Sequence, residues 1–495
     1  MKRHSYFLSP SALLLAFILA LGGCAKKDEG KVPITTTSEE ALTSFIAGRT
    51  LQENLRLTDA AEHFRKALDK DPNFAMAHLY LAGSAGTAKE FFDHLAQAVA
   101  LSDKVSEGER LWILGTEAGS HADATKQREY YQKLVTLFPD DQRAQTLLGI
   151  NYFGQQDYAK AVEFLQKATQ IAPDFAPAYN QLGYAYRFLN QFADAENTFK
   201  KYTELIPNDP NPYDSYAELL LKMGRFDESI AQYRKALNVN PNFANSFAGI
   251  AAGLLYQGKY DDALAETQKA YVSARNDGEQ RAALSMKTII YVDEGKPDLA
   301  LQEMEKQYAI AEKTNDVASM AGDLTAMGNI LLEMGKYDEA LAHFEKGTKI
   351  VAESELPQGN KDVNAMFSHF NTAQVALMKN DFKTAGAEQN TFRQLADQGK
   401  NENQIRLAHE LAGMIALGQK RYDDAIAELQ QANQQNPYNH YRIALAYAAK
   451  GDKDRARESC VRAAKFNGLP ALFNGLPGLN YAFIRTKAEK MLATL

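Results

Sequence analysis

The sequence predicts an all-α fold, an α-solenoid in which about twelve helix pairs stack side by side. Three observations support it, and the first is a 34-residue step between four prolines: Pro139, Pro173, Pro207 and Pro241. The second is a column of small residues with the same step: Gly149, Gly183, Ala217 and Ala251. The third is that apolar residues inside each unit recur at i, i+3, i+4 and i+7, the spacing of one buried helical face. Such a period indicates units that bury their cores against their neighbours.

Each column has a physical role in a helix pair. The small residues allow the two helices of one unit to approach closely, and large apolar columns fill the space to the next pair. One such column consists of aromatic residues: Tyr158, Phe192, Phe226 and Tyr260. Gly224 and Gly258 mark the turn inside a unit, where glycine can adopt a positive φ. The proline near the end of a unit stops its second helix.

These columns resemble the tetratricopeptide repeat. Residues 142–175 carry the family's characteristic residues: Leu148, Gly149, Tyr152, Ala161, Ala168 and Pro173. The pattern persists with losses in residues 41–74, 321–354, 406–439 and 440–470, and matches loosely around 279–315 and 361–398. The resemblance implies a right-handed superhelix whose concave side is lined by the first helix of each unit.

A break in the period divides the repeats into two predicted arrays, residues 41–277 and 278–495. The next proline after Pro241 is expected at Arg275, which lies in a polar stretch, residues 273–278. Residues 353–362 are a second, weaker joint. The chain ends in a predicted amphipathic capping helix, residues 479–495, such as terminal repeats require. Its two predicted faces are an inner one with Phe483, Ile484, Met491 and Leu492, and an outer one with Arg485, Lys487, Glu489 and Lys490.

The N-terminus has the pattern of a secretory signal peptide. Lys2 and Arg3 precede an apolar run of ten residues, 12–21, which is shorter than the roughly 20 residues that span a bilayer. The run ends in Leu-Gly-Gly before Cys24, which resembles the lipobox of bacterial lipoproteins. The resemblance implies removal of residues 1–23 and lipidation of Cys24; the alternative is an ordinary cleaved signal with an incidental cysteine. Residues 24–40 are predicted to be a flexible tether.

The predicted location is the bacterial cell envelope, with the protein held in a membrane by the lipid on Cys24. Ala25 follows the cysteine, whereas aspartate at that position resembles a signal for retention in the inner membrane. We therefore favour the outer membrane, with the protein facing the periplasm, over exposure on the cell surface.

Composition excludes several classes of function. The net charge is −7 and the basic residues are interspersed with acidic ones, unlike the clustered basic surface of a nucleic-acid-binding protein. The two cysteines, Cys24 and Cys460, do not make a disulfide framework, and Cys460 is expected to be a buried thiol.

We find no motif for catalysis, no phosphate-binding loop and no metal-binding pair of histidines, so no catalytic residue, cofactor or metal is predicted. The acidic pairs at 261–262 and 423–424 are interpreted as helix N-caps with favourable dipole placement.

The partner site is predicted on the concave side of the central units. The candidates are side chains there that packing does not require: Asn180, Tyr184, Arg187, Asp214, Glu218 and Tyr256. Such a mixture suits a peptide or a helix of a partner. Two alternatives are a merely solvated inner face and a partner held by residues 279–470.

The predicted function is therefore a non-catalytic scaffold or adaptor that binds protein partners of an envelope assembly. The alternative is an envelope lipoprotein that binds a glycan or small molecule for an uptake system.

Overall fold

The computed structural model describes residues 30–467 and 480–495, which contain 25 α-helices and no β-strand. Helices α1 to α24 form twelve consecutive pairs that stack side by side, and α25 follows them. The fold is therefore an α-solenoid, as the sequence predicts. Cys24 and the predicted signal peptide, residues 1–23, lie outside the described residues.

The first seven pairs contain helices of 9 to 15 residues. Their bounds are α1 Glu39–Glu53, α2 Leu57–Lys70, α3 Ala75–Gly83, α4 Ala88–Ala100, α5 Glu107–Ser120, α6 Ala124–Leu137, α7 Gln142–Gly154, α8 Tyr158–Ile171, α9 Ala176–Phe188, α10 Phe192–Leu205, α11 Asn211–Lys222, α12 Phe226–Val239, α13 Ala244–Tyr256 and α14 Tyr260–Ser273. Each of α6, α8, α10 and α12 ends two residues before one of the four periodic prolines.

The three pairs from α15 to α20 have longer helices, of 16 to 21 residues, which explains the break in the 34-residue period. The bounds of the helices after α14 are α15 Asp277–Asp293, α16 Pro297–Lys313, α17 Val317–Glu333, α18 Tyr337–Ala352, α19 Gln358–Met378, α20 Phe382–Gly399, α21 Glu402–Gly418, α22 Tyr422–Gln431, α23 Pro437–Ala449, α24 Lys453–Ala464 and α25 Asn480–Leu492. Helix α19 has 21 residues and α15 has 17. The two loosely matching units, around 279–315 and 361–398, are ordinary pairs whose helices have gained about one turn.

Close approach inside a pair depends on a glycine that faces a large side chain sixteen residues later. A Cβ built at Gly183 would lie 2.6 Å from the ring of Phe199, which leaves no room for a side chain. Six pairs share this arrangement: Gly48 with Phe64, Gly115 with Tyr131, Gly149 with Leu165, Gly183 with Phe199, Gly328 with Phe344, and Gly413 with Leu429. The small and large columns of the sequence therefore meet each other in the core.

The turn between the helices of a pair takes a left-handed conformation. Gly224 and Gly258 have φ of 76° and 74°, as predicted. Where glycine is absent, other residues adopt the same φ, including Asn190 and Asn380. Asparagine tolerates this region better than most residues because its short polar side chain can bond locally. The acidic pairs after these turns are not N-caps. Lys259 occupies the N-cap position of α14 without a side-chain capping bond, and Asp261 and Asp262 lie in the first turn, where only the dipole benefit applies.

The first helices of the pairs line the concave side. Successive first helices touch one another, for example α7 with α9, α9 with α11 and α11 with α13. The second helices have no comparable contacts with each other in the described part of the chain. Because elements are closer together on the inside of a curve, the first helices form its inner face.

The segment before α1 is fastened to three of the first four pairs, in contrast to the tether predicted for residues 24–40. Val32 is buried and its amide donates to Asp141 Oδ2 over 2.8 Å. The Thr35 amide donates to Glu109 Oε1 over 2.7 Å, and the Thr36 hydroxyl donates to Asp71 Oδ2 over 2.6 Å. These hydrogen bonds stabilise an extended strap, residues 31–37, which periodicity could not reveal because its partners are distant in sequence.

Successive turns of the superhelix touch, so the array is not purely linear. Arg275 forms an ion pair of 3.2 Å with Asp59 of the first pair. The Asn403 side chain donates to the Gly154 carbonyl and that of Arg406 to the Gln155 carbonyl, each over 2.9 Å. The stretch 273–278, predicted to join two arrays, is thus a contact between turns, and α14 packs on α15 without interruption.

Candidate functional site: the inner face of the repeats

The structure brings the predicted site residues of the central pairs together on the inner face. Asn180 of α9 accepts a hydrogen bond of 2.8 Å from Ser215 of α11. Asp214 of α11 accepts one of 2.6 Å from Ser246 of α13. These bonds link three first helices in sequence. Asn180 and Asp214 are buried, so packing does use these polar residues, contrary to the sequence interpretation.

An ion pair lies beside this ladder. Arg187 Nη1 is 3.3 Å from Glu218 Oε2, and both side chains are largely buried. The Arg187 guanidinium also lies 5.6 Å from the centre of the Tyr184 ring. Its buried Nε has no hydrogen-bond acceptor. Because an unsatisfied buried donor is costly, a ligand that supplied an acceptor here would gain affinity.

Burial shifts the proton affinity of this cluster. Burial, with the neighbouring Glu218 charge as a smaller cause, raises the pKa of the Asp214 carboxyl to about 8. Burial also raises the pKa of Glu218, against the opposing charge of Arg187. It lowers the pKa of the nearby Lys222 ammonium to about 8. The inner face therefore holds ionisable groups whose charged forms are poorly solvated.

Tyr256, the sixth predicted site residue, is the last residue of α13. Its ring stacks on Phe226 with centroids 5.5 Å apart. The guanidinium of Arg485, from α25, lies 5.5 Å from the centre of the same ring. Tyr256 is therefore placed on the inner face as predicted, but against the chain's own C-terminal helix.

The orientation predicted for that helix is partly wrong. Ile484 is buried as expected, and the side chain of Phe483 lies outside the described residues. Arg485 and Lys487 do not face outward: Arg485 covers Tyr256, and Lys487 Nζ is 2.5 Å from Glu333 Oε2. Helical periodicity placed both basic residues on the solvent side because it cannot register a second surface that packs against the helix. Glu333 was missed for the same reason.

Two histidines of the described residues pair with acids on neighbouring helices. His369 and His409 each bond to a glutamate of the next helix, Glu388 at 2.5 Å and Glu428 at 2.7 Å. No group of three metal-ligating side chains occurs within residues 30–467 and 480–495. Cys460 is buried as predicted, and burial raises the pKa of its thiol. In the same part of the chain, no helix is both long enough and apolar enough to traverse a bilayer.

Comparison with protein families settles the nature of the repeats. Three family models, each described as a tetratricopeptide repeat, match residues 152–219, then 47–102 and 115–175, and finally 211–243, 324–350 and 437–468. The matched segments of the chain are tetratricopeptide repeats. The matches fall on both sides of residue 277, and no curated protein matches the sequence significantly.

Three solved structures are similar to parts of this chain. One structure of MamA shares 21% sequence identity, with 34% of this chain and 91% of that chain covered and a TM-score of 0.29. A second MamA structure shares 22% identity over 32% and 93% of the two chains, with a TM-score of 0.28. YrrB, described as a TPR protein with an unusual peptide-binding site, shares 17% identity over 36% and 91%, with a TM-score of 0.26.

Proposed function

We propose that this protein is a non-catalytic scaffold or adaptor of the bacterial cell envelope. Its inner face binds a peptide or a helix of a partner protein, the usual role of tetratricopeptide repeats. The observation that carries the proposal is the incomplete hydrogen bonding of the central inner face. Asp214 has one side-chain donor, Ser246, and Arg187 Nε has no acceptor.

A buried acid elsewhere in the array has a full set of hydrogen-bond donors. Glu410 accepts hydrogen bonds from Asn436, Asn439 and Arg442 at distances of 2.7 to 3.0 Å. Such a network is complete without a ligand. In the central cluster the Arg187 Nε–H is unsatisfied, and a partner that moves this side chain on binding supplies the missing acceptor with a backbone carbonyl. This contrast favours the central pairs over the Glu410 network as the partner site.

A capture experiment tests the site. Full-length protein is immobilised and incubated with detergent-solubilised membranes, and the captured proteins are identified. Tyr184→Ala combined with Arg187→Ala is expected to reduce capture by a factor of about ten or more, since tyrosine and arginine are frequent binding hot spots. Arg225→Ala is the matched control, because it removes the same charge from ion pairs with Glu196 and Glu228 that lie outside the central cluster.

The circular dichroism of each variant must match that of the wild type before capture is compared. If the double variant captures the same partners as the wild type, the central site is wrong, and residues 279–470 become the candidate.

Membrane anchoring through Cys24 is the second part of the proposal. It is supported by the lipobox-like sequence before this cysteine and by the short apolar run. One acyl chain holds a protein only marginally, whereas the lipobox resemblance implies three chains, which hold it permanently. Labelled palmitate should enter the wild type and Cys460→Ser but not Cys24→Ser. Equal labelling of Cys24→Ser and wild type would exclude lipidation at Cys24.

A further inference from the structure

Helix α25 covers the inner face where three consecutive first helices end. Tyr256, Asp293 and Glu333 are the last residues of α13, α15 and α17. Arg485 lies over Tyr256, Lys487 pairs with Glu333, and α25 packs directly on α15. Burial raises the pKa of Asp293, and the positive charge of Arg485 opposes this by favouring the ionised form.

These helix ends carry negative charge that favours basic side chains. The last carbonyl groups of a helix carry partial negative charge, and a basic side chain near them is stabilised. Here α25 reaches the ends of all three helices, and two of them terminate in a carboxylate, Asp293 and Glu333. The Tyr438 hydroxyl donates to Glu333 Oε1 over 3.0 Å and so holds that carboxylate in position.

The pattern of α25 matches this surface. Ile484 and Ala488 are buried in an apolar cluster with Tyr438, Ala444 and Cys460 of α23 and α24. At about 100° per residue, Arg485 and Lys487 flank this apolar stripe on opposite sides. One basic side chain therefore reaches the end of α13 and the other the end of α17. Lys490, on the same helix, is exposed.

We propose that this part of the inner face is a receptor for an amphipathic helix with one basic residue on each side of its apolar stripe. Helix α25 is the intramolecular ligand of the receptor, and a partner protein binds by presenting a helix of the same pattern in its place. The inference rests on the proposed function as a scaffold and adds the chemistry of the partner's helix.

A fluorescent peptide with the sequence of residues 480–495 tests the receptor in the full-length chain. Arg485→Glu with Lys487→Glu places acids opposite Glu333 and Asp293 and so loosens α25. This double variant is expected to bind the peptide at least tenfold more tightly than the wild type, whose own α25 competes. Lys490→Glu changes a charge on the solvent side of α25 and does not loosen the helix. This control variant should therefore bind the peptide as weakly as the wild type does.

Glu333→Lys separates charge recognition from simple exposure of apolar surface. It also loosens α25, but it removes the acidic partner of the peptide's lysine. Peptide binding to this variant should therefore stay near the wild-type level. Equally tight binding to Glu333→Lys and to the double variant would overturn the charge-based receptor.

Hydrogen exchange of the wild type gives a measurement that does not depend on variants folding. The amides of α25 should exchange at least tenfold faster than those of α23 and α24, because the ligand helix opens on its own. Equal protection would show that α25 is an integral cap and would overturn the inference. If the peptide binds but no partner is captured, the receptor is supported and the scaffold function is contradicted. If every variant captures partners but none binds the peptide, the scaffold function is supported and the receptor is contradicted.

Discussion

At the scale of single residues, the small and large residues that recur in the sequence contact each other directly in the structure. In six pairs a glycine of the first helix faces a large side chain sixteen residues later, as Gly183 faces Phe199. The free energy of unfolding depends on this fit because protein interiors are close-packed. Polar residues of the inner face behave differently, since their partners lie in other repeats.

Substitution of Gly183 by alanine tests the packing column. Its Cβ would lie 2.6 Å from the Phe199 ring, so we expect a loss of about 1–3 kcal/mol in the free energy of unfolding by urea. Gly386→Ala is the control, since a Cβ there meets nothing within 4 Å in α20. That change should stabilise the protein by up to about 1 kcal/mol, because alanine favours the helix. Equal effects of both changes would exclude steric overlap as the cause.

Asp214 predicts a pH dependence of stability. Its pKa is about 8 in the folded protein and about 4 in an unfolded chain. The contribution of this group to stability is therefore fully present below pH 4 and is lost as the pH rises to about 8. Asp214→Asn lacks this loss, so the variant should become more stable relative to the wild type between pH 4 and pH 8. A constant difference in urea midpoints across that range would contradict a buried carboxyl with a raised pKa.

At the scale of elements, tertiary contacts changed the role of both ends of the array. The strap, residues 31–37, has no apolar periodicity, yet its hydrogen bonds to Asp71, Glu109 and Asp141 fasten it to three pairs. Helix α25 has the expected apolar stripe, but its basic residues contact the inner face. In both cases the partner group lies 34 or more residues away, beyond the reach of local patterns.

Glu109 tests the strap. It is fully buried, caps the start of α5 together with Ser106, and accepts the Thr35 amide and hydroxyl. Glu109→Ala should cost about 1–3 kcal/mol, since it leaves buried donors without an acceptor. Hydrogen exchange should rise at residues 33–37 and at the start of α5. Glu107→Ala, in the same helical turn but exposed, should leave the strap protected; an identical exchange pattern in both variants would refute the contact.

At the scale of the whole molecule, the repeats form a coil whose turns touch. A strictly linear array transmits damage only to neighbouring repeats. Here Asn403 and Arg406 bond to the carbonyls of Gly154 and Gln155, about seven pairs earlier in the chain. Distant pairs are therefore coupled by hydrogen bonds at the turns of the superhelix.

Exchange in Gly183→Ala measures this coupling. Protection should fall around residues 142–243, because the substituted pair and its neighbours lose packing. It should also fall at residues 402–406, although residues 437–464 keep their protection. An unchanged 402–406 segment would show that the turns are energetically independent, and a uniform rise along the chain would indicate one cooperative core.

The sequence by itself determined the repeat architecture, the number of helix pairs and the residues that pack inside each pair. It could do so because a repeat buries its core against its neighbours, so the governing contacts are local and recur every 34 residues. The tertiary structure decided where the strap binds, which inner-face residues are already paired, and that α25 covers the ends of α13, α15 and α17. These contacts join residues far apart in the chain. They depend on the curvature of the whole coil, which accumulates from small rotations between units and leaves no local pattern in the sequence.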